Sequence, residues 1–173
     1  MEINYKIASL KDVTDVFLLN QKWINVKNFE NGYITNCFSE SEILSLVQKR
    51  NIVTAEIENK IIGYYLINDL YETELTKKRK EIVSDSILNG EIPDGLYVYH
   101  TQAVVDRDYM RRGIAKKMLN YLKKQVSNRY DFLMGSIRKN NLTAKAAHVK
   151  SGWEIFHEDR YGWVVFTDVT QCL

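Results

Sequence analysis

Residues 104–115 read Val104-Val105-Asp106-Arg107-Asp108-Tyr109-Met110-Arg111-Arg112-Gly113-Ile114-Ala115. The apolar start predicts a buried strand, and the glycine followed by a small residue predicts a helix that begins at Gly113. The first turn of a helix leaves backbone N–H groups unpaired and carries partial positive charge, so it attracts phosphate oxygens. Arg111 and Arg112 add full charges. The stretch therefore predicts an anion-binding site, although a plain turn glycine beside solvated arginines would explain the same residues.

The segments on either side of this stretch are strongly patterned. Upstream, Leu96–Val105 is rich in Tyr, Val and Thr and poor in charge, which predicts a strand near the centre of a sheet. Downstream, the helix Gly113–Val126 has apolar residues along one face: Ile114, Met118, Leu122 and Val126, backed by Ala115 and Leu119. Its lysines are expected on the opposite face: Lys116, Lys117, Lys123 and Lys124.

The rest of the chain alternates between strand and helix patterns. Strands are predicted at Ile3–Ile7, Asn51–Glu58, Lys60–Ile67, Phe132–Ile137, Trp153–His157 and Gly162–Val169. Helices are predicted at Ser9–Ile24, from a Ser39 cap to about Arg50, as an insertion within Tyr71–Asn89, and at Asn141–Ser151. We find no repeat or linker, so residues 1–173 are expected to form a single α/β domain with a mixed sheet.

Composition limits the classes of protein that fit. The 173 residues carry 24 Lys and Arg against 22 Asp and Glu, a formal charge of +2, which gives no reason to expect a nucleic-acid partner. Cys37 and Cys172 are far apart, and no Cys/His spacing predicts a metal site. No membrane segment or leader is apparent, so a cytoplasmic location is expected. Residues 106–124 hold seven basic and two acidic residues, a local charge of +5 that suits one phosphate-bearing cofactor.

Two separated segments resemble motifs of the GNAT superfamily of N-acetyltransferases. Met110–Ala115 is similar to Gln/Arg-x-x-Gly-x-Gly/Ala, although methionine stands at the first position. Asn141–Ala144 and His148–Trp153 are similar to Asn-x-x-Ala/Ser followed by Tyr or His, then Lys-x-Gly-Phe/Trp. Two motifs in the right order are more specific than either alone. The resemblance is close over the carboxyl-terminal half and loose over the amino-terminal half.

This resemblance implies a fold and a cofactor. It implies a mixed, mostly antiparallel sheet of about six to seven strands, flanked by helices, with a helical insertion between the third and fourth strands. It implies acetyl-CoA as co-substrate without a metal, and since family members often dimerise, a homodimer is one expectation. The residues implied to bind coenzyme A are Ala103, Val104, Val105, Arg111, Arg112, Gly113, Ile114, Ala115, Lys116 and Asn141.

Acetyl transfer to an amine also needs proton transfer and a stabilised oxyanion. His148 occupies the position where many family members carry a tyrosine that resembles a general acid for the sulfur, and histidine can serve as acid or base. His100 is a candidate base, but strand alternation puts it on the opposite face from Val105 unless a bulge intervenes. Glu72 and Glu74 are alternative bases. Backbone N–H groups of a splayed central strand are candidate oxyanion donors.

The acceptor pocket is expected between the first two helices. The aromatic residues there are Trp23, Phe29, Tyr33 and Phe38, of which Trp23 and Tyr33 are the substrate-binding candidates, although core packing explains them as well. The resulting hypothesis is direct transfer of an acetyl group to a primary amine of a small molecule through a ternary complex. Acetylation of a protein amino terminus or lysine, and a non-catalytic acyl-CoA-binding module, are the alternatives.

Overall fold

The computed structural model describes residues 2–24, 32–68 and 74–171. The strands are β1 (Asn4–Ile7), β2 (Ile52–Ile57), β3 (Lys60–Asn68), β4 (Tyr97–Val105), β5 (Phe132–Arg138), β6 (Glu154–Asp159) and β7 (Gly162–Asp168). The helices are α1 (Val13–Ile24), α2 (Glu40–Gln48), α3 (Glu74–Leu88), α4 (Ile114–Val126) and α5 (Leu142–Lys150). Short 3₁₀ turns precede α1 and α4.

These strands form one sheet in the order β1-β2-β3-β4-β5-β7-β6. All neighbouring pairs are antiparallel except β4 and β5, which are parallel. The predicted central strand, β4, is the middle of the seven, and α3 is the expected insertion between β3 and β4. The predicted fold class is confirmed. The assignment of residues 1–173 to one domain stays a prediction.

Local sequence signals account for most of the boundaries. Ser39 forms the expected capping box with Glu42, which satisfies backbone groups at the start of α2. Glu58 and Asn59 both have positive φ, the conformation of the tight hairpin turn between β2 and β3. Gly152, with φ of 78°, ends α5 as expected. A loop is predicted at Val26–Phe38: residues 32–38 have no regular structure, whereas 26–31 lie outside the described residues.

Two helical layers cover the sheet. The first layer, α4 and α5, packs on one face around Val98, Met118 and Trp153. On the opposite face, α1 and α2 pack around Tyr64 and Val104. The insertion α3 joins this second layer, over aromatic residues of β4, β5 and β7. The sheet is therefore buried on both faces, and its functional groups must be reached where neighbouring strands separate.

The structure corrects the predicted faces of helix α4 at two residues, Lys123 and Ala115. Ile114, Met118, Leu119, Leu122 and Val126 are buried as expected. Lys123, expected on the polar face, is 1% exposed, and its Nζ donates to Thr167 Oγ1 at 2.8 Å and to the Gln171 carbonyl at 2.9 Å. Lys123 lies four residues after Leu119, so its position on the helix places it beside the core. Its long side chain can be buried there because the ammonium group still reaches oxygen partners. Ala115, expected to back the apolar face, is exposed instead.

Candidate active site

The site begins where the two central strands part. Parallel pairing of β4 with β5 runs from Tyr97 to His100 on β4 and from Phe132 to Gly135 on β5. Beyond these residues both strands continue, but no further pairs join them. Residues 101–105 therefore turn one backbone edge toward the gap. Such an edge can pair with an extended ligand in the way an added strand would.

A bulge in β4 lies at the point where the strands part. Leu66 of β3 pairs with Gln102, and the next residue, Ile67, pairs with His100, so Thr101 is the extra residue. The bulge reverses the alternation of side chains. His100 consequently contacts Trp153 on the α4–α5 face, the face toward which Val105 also packs. The objection to His100 from strict alternation is thereby removed.

A cleft of about 260 Å³ occupies the gap. Nine of the sequence-predicted site residues line it: Trp23, Tyr33, His100, Ala103, Val104, Val105, Ala115, Asn141 and His148. The cleft draws on both sheet faces, since α1 and residues 32–36 contribute from one side and α4 and α5 from the other. Catalytic, cofactor and acceptor candidates therefore share one continuous space.

The amino terminus of α4 opens beside this cleft. Gly113 is the N-cap residue with φ of 73°, and no side chain caps the helix. An added Cβ at Gly113 would meet nothing within 4 Å, so the first turn is open to a ligand. Arg111, with φ of 61°, is a second left-handed residue in the same loop. Unpaired N–H groups, positive charge and open space are what a pyrophosphate requires.

Five of the predicted cofactor residues are not part of the cleft lining: Arg111, Arg112, Gly113, Ile114 and Lys116. Ile114 is buried in the core, so only its backbone N–H can face a ligand. Arg112 donates to the Asp108 carbonyl at 3.0 Å and lies over the Tyr109 ring. Arg111 and Lys116 are exposed at the helix start. Their role in binding phosphate stays a prediction.

The two candidate catalytic histidines are close neighbours. The ring centroids of His100 and His148 are 5.4 Å apart, and each ring lies within 5.3 Å of the Trp153 ring. His148 Nδ1 lies 2.8 Å from the Ala144 carbonyl, and His100 Nδ1 lies 3.3 Å from the Leu66 carbonyl. Because a carbonyl only accepts, both Nδ1 atoms carry the proton, and Nε2 of each neutral ring is the acceptor.

Burial keeps both rings uncharged. It lowers the pKa of His148 below its ordinary value of 6.5, against the smaller effect of the Ala144 carbonyl, which raises it. Burial lowers the pKa of His100 further, and the neighbouring His148 adds to that effect. At neutral pH the pair thus provides two neutral imidazoles, and a proton on one disfavours a proton on the other.

Asn141 is the N-cap of α5 and also fastens the loop that leads to α2. Its Oδ1 accepts from the Ala144 N–H at 3.2 Å, and its Nδ2 donates to the Tyr33 carbonyl at 3.0 Å. Tyr33 in turn donates its hydroxyl to Asn140 Oδ1. The side-chain amide is therefore already engaged within the protein. Its predicted contact with the cofactor stays a prediction.

The carboxyl end of α1 is tied to the loop before α4. Lys22 pairs with the buried Asp106 at 3.0 Å, and the Arg107 guanidinium lies 5.7 Å from the centre of the Trp23 ring. Trp23 is buried, and its Nε1 has no partner among the described residues.

Phe38 is buried in the α1–α2 core and does not line the cleft. Phe29 lies outside the described residues, as do the side chains of Glu72 and Glu74.

Sequence reasoning missed four polar strand residues that line the cleft: Thr101 and Gln102 on β4, and Ser136 and Arg138 on β5. Their polarity within otherwise apolar central strands was a signal, because burying a polar group is unfavourable unless a hydrogen-bond partner or ligand satisfies it. Ser136 and Arg138 stand two positions apart, the spacing of one strand face.

Over the described ranges, the structure has no group of three or more His, Cys, Asp or Glu side chains that could hold a metal ion. In the same ranges, no helix combines the length and the apolar character needed to cross a membrane. Cys37 is a free, exposed thiol, and Cys172 lies outside the described residues.

An open helix terminus, a parted pair of parallel strands and buried imidazoles on one cleft are features of a group-transfer enzyme with a phosphate-bearing cofactor. Consistent with that class, a sequence profile described as the acetyltransferase (GNAT) family matches residues 21–153. The match spans well over half of the chain. The chain therefore belongs to the GNAT acetyltransferase family, and the predicted family and acyltransferase class are confirmed.

Solved structures share the fold at low sequence identity. A putative acetyltransferase from Salmonella typhimurium with its cofactor acetyl-CoA is 11% identical, with a TM-score of 0.67 and coverage of 99% of this chain and 96% of the other. A GNAT-family acetyltransferase from Listeria monocytogenes is 13% identical, with a TM-score of 0.70 and coverage of 97% and 95%. The PaiA N-acetyltransferase from Thermoplasma acidophilum, in complex with coenzyme A, is 11% identical, with a TM-score of 0.63 and coverage of 97% and 99%. No curated protein matches the sequence significantly.

Proposed function

We propose that the protein transfers the acetyl group of acetyl-CoA to a primary amine of a small molecule, within a ternary complex. One observation carries the proposal: the cleft between β4 and β5 is bounded by an uncapped helix start, an unpaired backbone edge and two neutral histidines. Bound acetyl-CoA supplies a thioester carbonyl, at which the C–N bond forms as the C–S bond breaks. The protein must hold that group, present the amine and move one proton.

Backbone groups are suited to hold the cofactor. The N–H groups of residues 113–116 at the start of α4 are the proposed donors to the pyrophosphate, with Arg111, Arg112 and Lys116 adding charge around them. The free edge of β4 at Ala103, Val104 and Val105 is proposed to pair with the pantetheine arm. N–H groups of the same edge are the proposed donors to the oxyanion. These contacts require few particular side chains.

His148 is suited to carry the proton. Its neutral ring holds a proton on Nδ1, bound to the Ala144 carbonyl, so Nε2 is ready to accept one. An alkylamine with a pKa of about 10.4 is almost wholly protonated at neutral pH and must lose a proton before attack. We propose that His148 Nε2 takes that proton, directly or through water, and returns it to the leaving thiolate. The second proton that the nitrogen must lose as the amide forms passes to solvent. Burial disfavours a lasting charge on His148, so the ring does not retain the proton.

The proposal is tested by thiol release from acetyl-CoA in the presence of a panel of small amines, amino acids and short peptides, with mass spectrometry of the products. Faster turnover of small amines than of peptides supports it. Acetylation of peptides alone would show instead that the protein acetylates protein amino termini or lysines. Saturable acetyl-CoA binding without thiol release on any acceptor would make it a non-catalytic binding module. A cytoplasmic location and a homodimer stay predictions.

A further inference from the structure

The charge of the cleft is unusual for an amine-binding site. Among the described residues that line it there is no Asp or Glu, and both histidines are neutral at neutral pH. Arg138 is the one ionised side chain of that lining. A site for a purely cationic amine would be expected to offer it a carboxylate, because burying an unpaired charge is costly. This lining instead offers one positive charge.

Arg138 is positioned as part of the acceptor side of the cleft. It is the last residue of β5, and Ile137 before it is buried in the α4–α5 core. Alternation therefore directs Arg138 to the opposite face, shared with Ser136 and Tyr99. The charges of Arg79 and Arg138 act on the Tyr99 hydroxyl, lowering its pKa against the larger upward effect of burial. The guanidinium thus contributes positive potential on the sheet face that α1, α2 and α3 cover, called the α1–α3 face below.

Nearby carboxylates are engaged with other groups. Asp159 accepts from both terminal nitrogens of the buried Arg79, at 2.8 and 3.1 Å, and from the Tyr161 and Gly162 N–H groups. Glu158 pairs with Lys139 at 3.4 Å. Within the described part of the chain, the side chain of Arg138 makes neither a hydrogen bond nor an ion pair, although its backbone carbonyl accepts from the Asn141 N–H. Its donors are free to meet an anion.

Uncharged polar atoms at the same cleft also lack partners. Trp23 Nε1, Thr101 Oγ1 and Gln102 Oε1 are buried and make no hydrogen bond with the described residues. Trp23 and Gln102 are each more than nine-tenths buried. Unpaired buried donors and acceptors are destabilising, so their concentration in cleft-lining residues suits a polar ligand that completes them.

From these observations we infer that the acceptor is an amine that also carries a carboxylate, as an amino acid does, and that Arg138 binds this carboxylate. The inference rests on the proposed function, and it narrows the class of acceptor. The planar guanidinium fork matches a carboxylate with two parallel hydrogen bonds, which a neutral or cationic amine cannot supply. Holding the carboxylate at Arg138 leaves the amine of the same molecule to approach the histidine side of the cleft.

The test compares acceptors that differ in one group. Glycine, alanine, phenylalanine and glutamate are each assayed beside the matching α-carboxamide, with acetyl-CoA saturating. The amine of a carboxamide is less basic and more often deprotonated, so chemistry alone favours the amide. We expect kcat/KM for the best amino acid to exceed that of its amide at least tenfold. Equal values, or a preference for the amide or for cationic amines, would overturn the inference.

Variants of Arg138 test whether this residue causes the preference for an amino acid over its amide. Arg138→Gln should raise KM for the amino acid at least tenfold, remove the preference over the amide and leave the KM for acetyl-CoA unchanged. Arg138→Lys should restore part of the preference, since it keeps the charge without the fork. Lys139→Gln, the adjacent and exposed residue, is the matched control and should change neither ratio. An Arg138→Gln enzyme that retains the preference would overturn the assignment.

The failure of the inference can be distinguished from the failure of the proposed function. Absence of turnover on every acceptor contradicts the proposed function alone. In that case, calorimetry of the amino acids and the amides with protein saturated by coenzyme A decides the inference. Binding of an amino acid that is at least tenfold tighter than that of its amide, and lost in Arg138→Gln, supports it. No binding, or equal binding, overturns it.

Discussion

The two faces of the sheet contribute to the cleft by different means. On the α4–α5 face, the features suited to the cofactor are backbone groups: the open start of α4 and the free edge of β4. On the α1–α3 face, the contributions are side chains such as Trp23, Thr101 and Arg138. Backbone groups tolerate many sequences, whereas side chains select one ligand. The difference implies that the donor site depends on a few conformationally special positions and the acceptor site on many individual ones.

The largest expected effect lies where the two faces meet, at His148. His148→Ala should lower kcat by about 10²-fold or more and leave acetyl-CoA affinity unchanged, because it removes the proton acceptor and no proposed cofactor contact. Steady-state kinetics and calorimetry measure the two quantities. His157→Ala, on edge strand β6 and away from the cleft, is the control and should resemble wild type. A kcat unchanged at several pH values would remove His148 from the mechanism.

The donor side should be most sensitive at Gly113. Gly113→Ala places a Cβ at φ of 73° beside the open helix start, so acetyl-CoA affinity should fall about tenfold, with about 1 kcal/mol of lost stability from backbone strain. Gly90→Ala provides a matched control, since Gly90 has φ of 70° and equally open surroundings but lies after α3. It should lose similar stability and no affinity. Equal effects on affinity would contradict a pyrophosphate site at α4.

A smaller effect is expected at Asn141, which connects the cofactor side of the cleft to the acceptor side. Asn141→Ala removes the cap of α5 and the bond to the Tyr33 carbonyl, so stability should fall by about 1 kcal/mol and the acceptor KM should rise severalfold. Ser39→Ala, which removes the cap of α2, should cost similar stability without changing KM. Thermal denaturation and acceptor titrations measure both. If both variants leave KM unchanged, the Tyr33 segment does not shape the acceptor site.

The smallest expected effect is a shift in the pH profile. Because burial lowers the pKa of His148, its ring stays neutral at and above the ordinary value of 6.5, and the proton acceptor is lost only at lower pH. The profile of kcat at saturating substrate should therefore show an acid limb below 6.5, and His148→Ala should lack it. A limb centred above 6.5 in wild type, or one retained in the variant, would contradict a neutral histidine.

How much the sequence predicts follows the same division between backbone and side chains. The helix boundaries at Gly113 and Gly152 could be predicted from sequence because a glycine in the left-handed conformation next to a helix is a local requirement. The face of His100 was not readable, since it depends on one extra residue, Thr101, in a bulge that forms only through pairing with β3. Lys123 was misplaced because a long side chain can bury its stem and still find oxygen partners.

Residues of the acceptor side were harder to predict for a similar reason. Arg138 and Trp23 are far apart in sequence and share the cleft only because β5 continues past the end of its pairing with β4. Periodicity predicts which face a strand residue takes, but not where two strands part. The two family motifs indicated where the cofactor part of the site lies. No motif in the sequence indicated where the acceptor part lies.

The central claim, that the cofactor is held by backbone groups between β4 and the start of α4, is tested most directly by amide hydrogen exchange with and without acetyl-CoA. The account predicts slower exchange, on cofactor addition, at the amides of residues 101–105 and 113–116. Control regions such as β1, at the edge of the sheet, and α2, neither of which contributes to the cleft lining, should not change. Unchanged exchange at residues 113–116 with protection elsewhere would contradict the account.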